Sequence, residues 1–275
     1  MKSSSRYLCA LFWLIVFVAA NQPAISAQQR PARPRSRFVE ANGVRIHYLE
    51  WAGKGTPILL VHGLYDTAQV WAAIAPRLAA SHRVLALDRR GSGLSGKPAD
   101  GYDNKTLTDD LTAFIKRLRL PPVVLVAHSF GGQTAVTFAA ANPNALQSLV
   151  LIEGGFFPKP EAAPADAPPA APCKAKPPVC ARMALLERAI REYDAEAIYP
   201  RVTAPTLLVI GEPAKFSDAE AELVKQAQRH AATVADQKLP RGKMTVIKKA
   251  NHWVQKDQPG ELARVIEDFL NRSKH

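Results

Sequence analysis

The chain has 275 residues, 47% of them hydrophobic and 22% charged, enough apolar content for one sizeable core and too much for a disordered chain. Its 36 Lys+Arg against 24 Asp+Glu give a net charge of +12, which invites a nucleic-acid or membrane-surface reading. Six of those basic residues fall within the first 37 positions, and residues 38–275 hold 30 Lys+Arg against 24 Asp+Glu, a surplus of only +6. No nucleic-acid partner is expected.

Lys2 and Arg6 precede a 13-residue apolar run, Leu8 to Ala20, and a polar stretch then ends in Ile25-Ser26-Ala27. This is the pattern of a secretory signal, expected to be cut after Ala27. At 1.5 Å per residue the run reaches roughly 20 Å, short of a bilayer core of roughly 30 Å. A periplasmic or secreted protein is therefore expected. Residues 28–37, with Arg30, Arg33, Arg35 and Arg37 between prolines, read as a basic linker that could touch anionic envelope lipids. The domain is expected to span 38–275 and to act as a monomer.

From Phe38 onward strands and helices alternate. Val44–Leu49 alternates like a strand, while Pro57–Val61, Val84–Leu87 and Val123–Ala127 are short apolar runs typical of buried parallel strands. Leu107, Leu111, Phe114, Ile115 and Leu118 line one helical face. A small-residue helix is expected over 131–141, strands at Leu149–Ile152, Thr206–Ile210 and Met244–Ile247, and a final helix from Pro259. This order implies one mostly parallel sheet with helices on both faces. Between Phe156 and Val179 the chain is mostly Pro and Ala, with eight prolines, and a helical stretch follows from Arg182 to Ile198. The segment of about 156–200 is expected to be an excursion between core strands, either a lid or a solvated insertion. Cys173 and Cys180 lie close together within it and are expected to form a disulfide in an oxidising compartment.

The chemistry centres on Ala127-His-Ser-Phe-Gly-Gly132, where a strand runs straight into Ser129 and a helix leaves straight after it. Such a turn exposes a nucleophilic hydroxyl and needs small residues two positions away, here Ala127 and Gly131. The Phe130 amide, at the helix start, suits a developing oxyanion. His62-Gly63-Leu64 follows the strand ending at Val61, and Ala250-Asn-His-Trp253 follows the last strand, so His252 is a candidate general base. His128 receives no catalytic role, and His47, His82 and His230 read as surface or packing residues. No metal or other cofactor is expected.

Residues 38–272 resemble an α/β-hydrolase-fold serine hydrolase, similar to the esterase, cofactor-free haloperoxidase and carbon–carbon hydrolase branch. Asp88-Arg-Arg-Gly-Ser-Gly-Leu-Ser-Gly-Lys-Pro98 is similar to that branch's arginine–glycine loop and mainly builds a turn. The resemblance implies that the Leu64 amide is the second oxyanion donor. It also implies a triad acid, and here the chain departs from the usual pattern. Gly211-Glu-Pro-Ala-Lys215 places Ala214 where an aspartate ordinarily stands. Some relatives carry the acid one core strand earlier, which points to Glu153, with Asp218 and then Glu212 in reserve.

The expected activity is hydrolysis of an ester, thioester or lactone of a small, partly hydrophobic substrate through an acyl-enzyme on Ser129. Tyr65, Trp71, Phe130, Phe156, Phe157 and Trp253 are candidates to line its pocket. The alternative is a catalytically weak binding protein of the cell envelope that keeps the fold and has lost its acid.

Overall fold

Eight strands rich in Val, Leu and Ile make one sheet: β1 (Arg35–Ala41), β2 (Val44–Trp51), β3 (Pro57–Val61), β4 (Arg83–Leu87), β5 (Val123–His128), β6 (Leu146–Ile152), β7 (Thr206–Glu212) and β8 (Gly242–Lys248). Their order across the sheet is β1-β2-β4-β3-β5-β6-β7-β8. β1–β2 and β2–β4 pair antiparallel, and all later pairs are parallel. The computed structural model describes residues 33–156, 175–215 and 217–273. The expected signal (1–27), residues 28–32 of the expected linker, Phe157, Cys173 and most of the Pro/Ala segment lie outside the described residues.

The helices are α1 (Ala75–Leu78), α2 (Asn104–Arg117), α3 (Phe130–Ala141), α4 (Pro177–Glu192), α5 (Asp218–Thr233), α6 (Val254–Asp257) and α7 (Pro259–Arg272). Two apolar clusters cover the two sheet faces. One joins Leu59, Leu125 and Leu151 to Phe114 and Phe138, and the other joins Ile58, Leu60 and Val126 to Trp71, Leu262 and Ile266. Burial of each aliphatic side chain contributes about 1.5–3 kcal/mol. Among the described residues no helix is long and apolar enough to cross a membrane.

Several elements differ from the sequence reading, the short helices α1 and α6 among them. β1 begins at Arg35, inside the expected linker, because its edge side chains find partners on β2: Arg37 Nε lies 2.6 Å from Glu50 Oε2, and Ser36 Oγ lies 2.8 Å from His47 Nε2. Helix α4 starts at Pro177 rather than Arg182 and ends at Glu192 rather than Ile198, with two prolines where a first turn accepts them. Helix α5 is additional. Ser217 and Glu220 form a capping box at its start, satisfying two amides that would otherwise lack partners.

The turn after β4 is built around Asp88, which is buried. Its carboxylate accepts the Ala68 amide at 2.6 Å, the Leu94 amide at 2.8 Å and His47 Nδ1 at 2.8 Å. Burial alone would raise this carboxyl's pKa, but the two amides and His47 hold it below the usual range. Removing the carboxylate would leave those donors unsatisfied in the interior. We expect Asp88→Ala to destabilise the fold by about 3 kcal/mol or more, read from the midpoint of urea unfolding.

Candidate active site

β5 ends at His128 and α3 begins at Phe130, which leaves Ser129 in the bend at φ +52° and ψ −124°. An L-residue there costs about 1–3 kcal/mol, so packing must hold it. The Ser129 amide donates to the Ile152 carbonyl at 2.9 Å, and the Gly132 amide donates to the Ser129 carbonyl at 2.8 Å. Ala127 is fully buried, and a Cβ on Gly131 would come within 2.6 Å of the His62 carbonyl oxygen. Gly154, not singled out in the sequence, is more tightly placed: its Cβ would lie 2.2 Å from the Ser129 carbonyl oxygen.

The loop after β8 presents His252, whose Nε2 is 3.0 Å from Ser129 Oγ. On its other side, His252 Nδ1 is 3.5 Å from Glu153 Oε2. Glu153 follows β6 in a positive-φ conformation, and its Oε1 accepts the Gly211 amide at 2.6 Å. One carboxylate oxygen is thus fixed by the backbone end of β7 while the other faces the imidazole. Glu212 turns away and accepts Gln228 Nε2 at 3.2 Å, and Asp218 opens α5.

Ser129, Phe130, Leu64, Glu153, Tyr193 and His252 help line a cleft of about 300 Å³. Among the described residues neither the Leu64 nor the Phe130 amide donates a hydrogen bond. Of the aromatic candidates, Tyr65 is two-thirds exposed beside the adjoining cleft. Trp253 Nε1 donates to Asp66 Oδ2 at 2.9 Å, and its ring lies 5.3 Å from that of His252. Phe156 and Trp71, also candidates, lie elsewhere. Both are fully buried in the two core clusters, where the layers between sheet and helices take large rings. Cys180 lies in the first turn of α4, and Cys173 falls outside the described residues.

Two buried histidines also shape the site. His128, given no role from the sequence, donates from Nε2 to the His252 carbonyl at 2.7 Å, and the two rings are 4.7 Å apart. It therefore fixes the backbone of the candidate base. His62 donates from Nδ1 to the Gly63 carbonyl at 2.7 Å and accepts the Arg89 amide at Nε2. Burial pushes both pKa values down to about 4, helped at His62 by the Arg89 cation and at His128 by His252. Asp66, also unread, links the loop after β3 to Trp253 and lies 3.7 Å from Lys256 Nζ. These contacts join residues far apart in the chain, so no local pattern announces them. Among the described residues no group of three or more His, Cys, Asp or Glu side chains is arranged to hold a metal ion.

Residues 56–173 match the family model described as the α/β hydrolase fold. The chain is an α/β-hydrolase-fold protein. It is similar to the soluble epoxide hydrolase of Corynebacterium sp. (strain C12), 35% identical over 41% of this chain and 39% of that protein. The chain thus spans well under half the length of that relative. A longer match is the 2-(acetamidomethylene)succinate hydrolase of Mesorhizobium japonicum, 27% identical over 86% of this chain and 95% of that protein. A crystal structure of E-2-(acetamidomethylene)succinate hydrolase superposes with a TM-score of 0.66 at 26% identity, covering 86% of this chain and 99% of the other.

The two neutral histidines make stability depend on pH. Their folded pKa values of about 4 lie below the ordinary value near 6.5, so the unfolded chain binds more protons between those limits. The contribution is complete above about pH 6.5 and is lost as pH falls toward 4, by up to about 3 kcal/mol per histidine. Urea midpoints measured from pH 7.5 to 4.5 should fall steadily, and His128→Gln should flatten that slope.

Proposed function

We propose that this chain is a serine hydrolase that cleaves an ester-type bond (ester, thioester or lactone) of a small, partly hydrophobic substrate. The observation that carries the reading is the 3.0 Å approach of His252 Nε2 to Ser129 Oγ at a strained strand-to-helix bend. In this mechanism His252 takes the Ser129 proton as Oγ adds to the carbonyl carbon. The Leu64 and Phe130 amides hold the oxyanion, and Glu153 faces the imidazolium that forms. His252 then protonates the leaving oxygen as the C–O bond breaks. Water, deprotonated in turn by His252, releases the acid and restores Ser129. Ser129 in place of a carboxylate supports acyl transfer over epoxide opening. The named relatives act on an epoxide and on 2-(acetamidomethylene)succinate, so the superfamily resemblance supports hydrolysis more broadly than it supports esters. The basic start and apolar run at the N-terminus support export, and Cys173 and Cys180 would then bridge in the oxidising compartment.

A fluorophosphonate probe should label Ser129, and a p-nitrophenyl ester chain-length panel should show turnover above background. Ser129→Ala should lower kcat by about 10⁴-fold or more. Glu153→Gln should lower it by about 10²-fold or more, and Glu212→Gln should stay within a few-fold of the parent. Retained hydrolysis in purified Ser129→Ala would overturn the assignment. An unlabelled serine with flat rates across the panel would favour a catalytically weak binding protein.

A further inference from the structure

Next to the catalytic cleft, and sharing Leu64 with it, lies a second cleft of about 250 Å³. It is bounded by the loop after β3 (Gly63 to Thr67), the loop after β4 (Arg89 to Gly93) and helix α4. Its lining carries three arginines, Arg89, Arg90 and Arg182, and one carboxylate, Asp66. Arg90 is fully engaged: its Nε and Nη2 grip the two oxygens of Asp110 at 2.6 and 2.7 Å. Asn42 also donates to Asp110 at 2.8 Å, and Asp66 is occupied by Trp253 and Lys256.

Arg89 is different. It is only 6% exposed, its guanidinium lies 4.4 Å from the centre of the Phe130 ring, and its Nη2 has no hydrogen-bond partner among the described residues. Burial pushes its pKa down to about 10, which still leaves a cation at neutral pH. An arginine is a fixed fork of donors suited to a carboxylate, and a buried one is costly unless its charge is met. No carboxylate of the described residues hydrogen-bonds to it, although Asp110, already held by Arg90, is near enough to favour its charged form. Arg182 lines the same cleft from α4, so two arginines share its wall beside the candidate oxyanion loop, with Arg89 Nη2 itself buried behind that wall.

We propose that this second cleft binds a carboxylate carried by the substrate, with Arg89 and Arg182 as its receptors. The enzyme's substrate class is then an anionic, carboxylate-bearing ester. The inference rests on the serine-hydrolase reading and narrows it. The competing role for Arg89 is architectural, because a cavity of about 20 Å³ that touches both Arg89 and Thr134 has room for one water.

Two pairs of esters separate the readings: mono-p-nitrophenyl adipate against its methyl ester, with the charge on the acyl side, and 4-acetoxybenzoate against its methyl ester, with the charge on the leaving group. In at least one pair kcat/KM should favour the acid by about tenfold or more, the effect of one charge-assisted hydrogen bond. Arg182→Gln and Arg89→Gln should each bring that ratio toward one, and Arg89→Lys should retain part of it. Arg182→Gln also keeps the test intact should the buried Arg89→Gln variant fail to fold. A wild-type ratio near or below one in both pairs overturns the proposal. So does an equal fall for acid and methyl ester in every variant, which would make the arginines architectural. Failure of the serine-hydrolase reading looks different: no ester of either charge turns over and the fluorophosphonate leaves Ser129 unlabelled, and the proposal falls with it.

Discussion

The bend at Ser129 is the constraint on which the rest of the molecule depends. A serine at φ +52° persists only if its surroundings leave it no relaxed alternative. Two neighbouring strand ends supply that confinement. The His62 carbonyl beyond β3 packs against Gly131, the Ile152 carbonyl at the end of β6 holds the Ser129 amide, and Gly154 beyond β6 lies under the Ser129 carbonyl. The parallel register of β3, β5 and β6 is therefore more than a scaffold. It brings the candidate donor loop, the hydroxyl and Glu153 to one sheet edge, because the side-by-side pairing of Val61, Ala127 and Leu151 leaves their successors adjacent.

Charge around that bend is arranged with similar economy. A histidine that accepts a proton during acyl transfer becomes an imidazolium, and a second cation 4.7 Å away would oppose it. His128 occupies that position, yet burial keeps it neutral, and its one N–H is used to hold the His252 carbonyl. His128 thus supports the candidate base mechanically without competing with it electrostatically. Glu153 supplies the opposite sign on the other side of the His252 ring. Its second oxygen is anchored to the Gly211 amide, so the carboxylate cannot swing out of place without breaking a short hydrogen bond.

Much of this was legible in the sequence because it is local. The apolar runs at Pro57–Val61 and Val123–Ala127 are strands wherever they are buried, and Ala127, Ser129 and Gly131 carry the spacing of a tight turn. Glu153 was readable as a carboxylate at a strand end, though its approach to His252 depends on the loop after β8. What stayed hidden was either camouflaged or non-local. The arginines and prolines before Phe38 concealed β1, whose partners lie across a hairpin. The capping pair Ser217 and Glu220 was an available signal for α5. Phe156 and Trp71 show the limit of aromatic residues as pocket markers, since a large ring near a strand end serves the core equally well. The contacts of Asp66 and His128 span well over a hundred residues of sequence, and no periodicity encodes them.

Helix α4 is where these considerations meet substrate choice. Arg182, Leu186 and Ile190 recur at helical spacing and form one stripe, Tyr193 follows just past the helix end, and together they border both clefts. Arg182 and Leu186 face the second cleft, while Ile190 and Tyr193 face the catalytic one. At 1.5 Å per residue the axis from Arg182 to Ile190 is roughly 12 Å long. One helix therefore sets both the polarity of the second cleft and the apolar wall beside Ser129, at a fixed separation. Tyr193 and Tyr199 anchor the chain beyond it by donating to the Gly155 carbonyl at 3.4 and 3.2 Å, two residues past Glu153. Helix α4 is thus tied to the strand end that carries the candidate acid, so a large shift of α4 would also strain the position of Glu153. Under the proposed function, specificity and catalytic geometry are in this way coupled through one short piece of backbone, Glu153 to Gly155.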